Sequence, residues 1–145
     1  MAIRPTLLSL CAFAGLTLSA MAAEPPAITL IPAPSLDWAK TPEGVAFATL
    51  EGDRFTGPYR AMVRLPAGVA SPLHVKSANM FGVMIEGEMI HIIKGQDADS
   101  ALRVGAGSFY KVPKGLPHIS ACVSEVPCIA YLYQDGPFDF VPVTQ

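Results

Sequence analysis

The residues best equipped for chemistry stand in two short stretches. "SPLHVKSANM" holds His74, Lys76 and Met80, and "GLPHIS" holds His118. His74 and Lys76 lie two apart in an extended run, so both side chains fall on one face of a strand. Imidazole is a ligand for transition metals and carries protons near neutral pH. A second histidine at position 76 would complete half of a metal site, but lysine stands there. Its ammonium has three donors and no lone pair, so while protonated it repels a divalent cation. Two designs remain open: a metal site that has lost part of its shell, or a site built around the lysine. In an apolar interior, Lys76 could hold a carboxylate or steady a developing enolate, with His74 or His118 moving a proton. Desolvation would depress its pKa. The plainer alternative is a lysine that snorkels toward solvent.

The elements that must position these side chains read as strands. Short runs rich in Val, Ile, Phe, Tyr and Met alternate with Gly, Pro, Asp and Ser. The expected strands are 28–31, 45–51, 59–65, 73–76, 80–85, 89–94, 102–104, 109–112, 118–123, 128–134 and 138–141. Many short strands separated by regular turn signals indicate an all-β sandwich or barrel. In "YRAMVRL", Tyr59, Ala61, Val63 and Leu65 take one face and Arg60, Met62 and Arg64 the other. Turns fall at "EGDRFTGP", "LPAGVASP", "EGE", "KGQDADS", "GAGS", "PKGLP" and "QDGP". Glu86 and Glu88 belong to an exposed turn. Asp97 and Asp99 belong to a polar loop without the further oxygens of a calcium site.

A leader precedes this pattern. A short basic start, an apolar run over 6–18 and the small-x-small sequence Ala20-Met21-Ala22 read as a signal peptide spanning 1–22. The run is too short to span a bilayer. A single domain over 23–145 is therefore expected in the periplasm or outside the cell, without a membrane anchor after cleavage. That segment has 9 basic and 12 acidic residues, a formal charge of −3. Its basic residues are scattered singly, which argues against nucleic acid as a partner. Cys122 and Cys128 remain as an even pair in an oxidising compartment, across what reads as a hairpin. They are read as a structural disulfide, with two buried thiols as the alternative.

Two motifs in this pattern resemble those of the cupin superfamily, G-x5-H-x-H-x3,4-E-x6-G and G-x5-P-x-G-x2-H-x3-N. The first is matched by Gly68, His74 and Gly87, with Lys76 and Met80 at the second-histidine and glutamate positions. The second is matched by Gly107, Pro113, Gly115 and His118, with Cys122 in place of the asparagine. The resemblance implies a double-stranded β-helix, or jelly-roll barrel, with a small-molecule pocket between its sheets. It also implies a divalent transition metal (Fe, Mn, Zn, Ni or Cu) on His74 and His118, an implication weakened by Lys76 and Met80. A His, His, Met set suits copper better than hard cations. His91 would add a third imidazole if it faced inward, but its preferred reading is outward. Met80, Phe81, Met84 and Tyr110 are candidate pocket residues, and Tyr131 and Tyr133 share their character. The functional expectation is a protein that binds or acts on a small organic molecule. It has two alternatives: a metal-dependent lyase, isomerase or oxygenase using His74 and His118, and a non-catalytic sensing or dimeric structural protein.

Overall fold

The computed structural model of the chain describes residues 27–42 and 44–144. The leader expected over 1–22 lies outside the described residues. The strands all belong to the unit Ile31–Gln145.

Among the described residues, ten strands form two antiparallel sheets. They are β1 (Ala39–Lys40), β2 (Ala46–Glu51), β3 (Tyr59–Leu65), β4 (His74–Val75), β5 (Met80–Glu86), β6 (Met89–Ile93), β7 (Phe109–Val112), β8 (His118–Cys122), β9 (Cys128–Gln134) and β10 (Val141–Pro142). One sheet runs β1-β2-β3-β9-β5-β7 and the other β10-β4-β8-β6. This is the all-β jelly-roll arrangement expected from the sequence. Strand alternation assigns the interior. Tyr59, Ala61 and Leu65 on β3 are buried and pair with Gln134, Leu132 and Cys128 on β9, while Arg60 and Arg64 are exposed. The tight turn between β5 and β6 needs Gly87. Its φ is +74°, and a Cβ there would meet Pro127 O at 2.9 Å.

Among the described residues two expected strands are absent, and a third, 138–141, is reduced to Val141 at the start of β10. Residues 28–31 take no strand pairing, consistent with Pro32 and Pro34, which lack backbone donors. Of 102–104, only Val104 pairs, in an isolated bridge to Met89, before the turn at Gly105 and Gly107 ends the contact.

The interior packs as two apolar clusters. One joins Phe47, Tyr59, Ala61, Met80, Val112 and Leu132. The other joins Leu65, Met84, Met89, Ala130 and the bonded pair Cys122–Cys128, so the expected disulfide is present. A third cluster, of Ile90, Ile92 and Ala121, lies on the other face of the four-stranded sheet, with Ala101, Ile119 and Val123 packed against it. The outer face of that sheet is therefore apolar over β6 and β8.

Candidate functional site

Between the sheets lies a cavity of about 490 Å³, within the roughly 300–1,000 Å³ common for small-molecule sites. Its wall is largely apolar, with Phe47, Val63, Leu65, Met80, Leu132 and Phe138 contributing. The polar groups concentrate on β4, β6 and β8 and at one end of the barrel.

Lys76 follows β4 and is 7% exposed. It does not snorkel: its Nζ donates to Asp139 O at 2.9 Å and lies 4.3 Å from the Phe138 ring centre. Two clamps fix this corner. The Asp139 carboxylate accepts from Ser77 N at 3.0 and 3.1 Å, and the Asp135 carboxylate accepts from Asn79 N and Asn79 Nδ2. Among the described residues Lys76 forms no ion pair. Burial pushes its pKa down to about 8, against a smaller upward pull from Asp139.

His74 and His118 are opposed across β4 and β8, their ring centres 4.3 Å apart. The His74 ring also stacks on Phe140 at 4.2 Å. His74 Nδ1–H donates to Pro72 O and His118 Nδ1–H to Leu116 O, each at 2.9 Å. Those bonds leave both Nε2 atoms as acceptors in the neutral rings. Burial, joined by the charge of Lys76 and, at His74, first by that of His118, lowers both pKa values, that of His74 to about 4. His74 reaches the cavity wall, whereas His118 is sealed at 1% exposure.

The structure corrects the outward reading of His91. Its side chain lines the cavity, bonds Ser120 Oγ through Nδ1 at 2.9 Å and lies tilted against the Tyr110 ring, centres 4.2 Å apart. Burial, followed by the charge of His118, lowers its pKa to about 4. The Nε2 atoms of His91 and His118 are buried without hydrogen-bond partners among the described residues. Tyr110, paired opposite Gly82 of β5, folds its ring into the space a side chain at Gly82 would occupy. Burial raises its pKa.

The other pocket candidates separate by strand phase. Met80 lines the cavity. Met84 is buried in the core cluster with the cystine. Phe81 is corrected: it takes the phase opposite to Met80, stacks on Tyr133 and has the Lys111 ammonium over its ring. Sequence reading missed Arg54, Tyr59 and Gln134, which meet at the Lys76 end. Tyr59 Oη donates to Gln134 Oε1 at 3.3 Å, and Gln134 Nε2 donates to Pro137 O at 2.6 Å. Arg54 gave no signal beyond lying in a turn.

The donor set does not suit a divalent metal. Of the motif's four ligand positions, His74 and His118 supply imidazoles, but the other two supply the ammonium of Lys76 and the thioether of Met80. Among the described residues no three His, Cys, Asp or Glu side chains are placed to hold an ion. His91 does not complete a three-histidine set. The chemistry offered is a fixed cation in an apolar chamber, flanked by neutral imidazoles.

The family model described as domain of unknown function DUF4437 matches residues 21–141. No curated protein matches the chain. Among solved structures, the polyketide cyclase RemF from Streptomyces resistomycificus superposes with a TM-score of 0.65 at 15% identity, over 82% of this chain and 87% of that one. An RmlC-like cupin from Ralstonia eutropha gives 0.59 at 17% identity, over 74% and 68%. The DMSP lyase DddQ from Ruegeria pomeroyi gives 0.57 at 22% identity, over 77% and 62%. At these identities the likeness establishes the fold alone.

Proposed function

The chain belongs to the DUF4437 family, whose members are cupin-like, and on that premise we propose that it binds a small organic acid inside its barrel, with a carboxylate on Lys76. The observation that carries this reading is the buried ammonium of Lys76. It lines the cavity, one of its bonds goes to a backbone carbonyl, and it has no carboxylate partner among the described residues. A buried charge without an ionic partner is costly, and an organic anion entering the chamber relieves that cost. The apolar walls then take the rest of the molecule. An exported location is part of the proposal, supported by the Cys122–Cys128 bond.

Calorimetric titration at pH 7 with hexanoate and phenylacetate, against their methyl esters, tests the reading. The acids should bind and the esters should bind at least about tenfold more weakly, the scale of one charge-assisted hydrogen bond. Equal binding of acid and ester would remove Lys76 from the account.

A second reading adds catalysis on the bound acid, because neutral His74 lies on the cavity wall close enough to Lys76 for its pKa to feel that charge. The imidazole would accept a proton from the carbon next to the carboxylate while Lys76 steadies the enolate. Exchange of those hydrogens in deuterated buffer, followed by proton NMR, supports it. No exchange above the buffer rate removes it and leaves binding intact.

A further inference from the structure

Arg54 lies in the turn between β2 and β3 and lines the same cavity. Three aromatic rings surround its guanidinium carbon, with centres 4.7 Å away at Phe47, 4.3 Å at Phe55 and 5.4 Å at Phe138. The turn is tied down by Phe138 N, which donates to Arg54 O at 2.6 Å. Lys76 Nζ lies 4.3 Å from the same Phe138 ring. Two cationic groups therefore share one aromatic side chain and stand within about 10 Å of each other.

Like charges this close repel in a partly desolvated site. The rings attract a cation but offer no acceptor in the plane of the guanidinium. Its five N–H donors have no hydrogen-bond or ion-pair partner among the described side chains. The nearby Asp139 carboxylate is engaged with Ser77 N and pairs with neither cation within 4 Å. The charge of Arg54 also reaches the Tyr59 hydroxyl, at the polar floor of this end. The cavity thus presents a buried ammonium and a flat, aromatic-braced guanidinium at one end of an apolar chamber.

We infer that Arg54 is a second anion contact and that the ligand is a dicarboxylate. One carboxylate meets Lys76, the other meets Arg54 in the two-pronged geometry a guanidinium favours, and the apolar spacer lies along Phe138 and Phe47. The inference rests on the proposal that Lys76 holds a carboxylate, and adds the second charge.

The test is calorimetry at pH 7 and constant ionic strength. The probes are the straight-chain dicarboxylates from succinate to suberate, each compared with its monomethyl ester. For the best-fitting length, the diacid should bind at least about tenfold more tightly than the half ester. Arg54→Gln should bring that ratio close to one while the half ester still binds. Arg54→Lys, which keeps the charge and loses the planar fork, should keep part of the preference, so a merely loosened turn is told apart from a lost contact. Equal binding of diacid and half ester by the unaltered protein overturns the dicarboxylate and leaves the Lys76 proposal standing. A diacid preference that survives Arg54→Gln overturns the role of Arg54. Failure of every acid to bind overturns both.

Discussion

Lys76→Met removes the buried charge while keeping an unbranched side chain of similar length, and the structure sets the size of the effect. The Lys76 pKa falls from 10.5 to about 8 on folding, a difference worth about 3 kcal/mol between the two protonation states. At 7% exposure, solvent screening does little to reduce it. Below pH 8 the ammonium is charged in both states and folding bears the full desolvation cost. Between pH 8 and 10.5 the folded amine is neutral while the unfolded one stays protonated, so stability rises with pH through that window. Methionine has no such dependence, but it leaves Asp139 O without its donor, a loss of about 1 kcal/mol. The variant should therefore be more stable than the parent by about 2 kcal/mol at pH 7. By pH 10 the difference should close to about zero. The assay is urea denaturation at pH 7, 8, 9 and 10, read by far-ultraviolet circular dichroism and by the fluorescence of the single tryptophan, Trp38. Tyr59 and Tyr110, whose pKa values burial raises, remain in both proteins and cancel in the difference. A difference that stays flat from pH 7 to 10 would refute the desolvated lysine.

Three other outcomes follow from the same interior. Gly82→Ala drives a methyl group into the Tyr110 ring and should cost about 1–3 kcal/mol; Gly82→Ala combined with Tyr110→Leu should recover part of the loss, and no recovery in thermal melts would place the strain elsewhere. His74 and His91 both titrate near 4 when folded and near 6.5 when unfolded, so stability is retained above pH 6.5 and lost as pH falls toward 4. The loss should be on the order of a few kcal/mol, and a urea midpoint constant across that range would contradict their burial as neutral rings. Reducing the Cys122–Cys128 bond, which closes a loop of sequence separation 6, should lower stability by about 2 kcal/mol; an unchanged midpoint would mean that the strands alone hold that hairpin.

The placement of His74, Lys76 and His118 was legible in the sequence because strand alternation and glycine turns carry it. Gly68, Gly87, Gly107 and Gly115 all take positive φ, and the residues between them are fixed in phase by the strands they bound. His91 was not legible. In "MIHII", Met89 joins the interior cluster while Ile90 and Ile92 pack on the other face of the sheet with Ala101. A strand that is apolar in both phases gives alternation nothing to read. Phe81 was misplaced for a different reason: Met80 and Phe81 are adjacent, and one strand cannot send both inward. Arg54 and Phe138 meet only through the packing of two loops far apart in sequence, so no spacing rule could have joined them.

The central claim is that a ligand carboxylate binds the charged form of Lys76, and titrating that amine with and without ligand tests it most directly. In protein carrying 13C-labelled lysine, with the Lys76 signal assigned by its loss in Lys76→Met, the free protein should titrate near 8. Saturation with the tightest-binding acid should raise that value, since the anion favours the ammonium. A Lys76 signal that titrates near 10.5 in the free protein, or one whose midpoint does not move when the acid binds, would contradict the account.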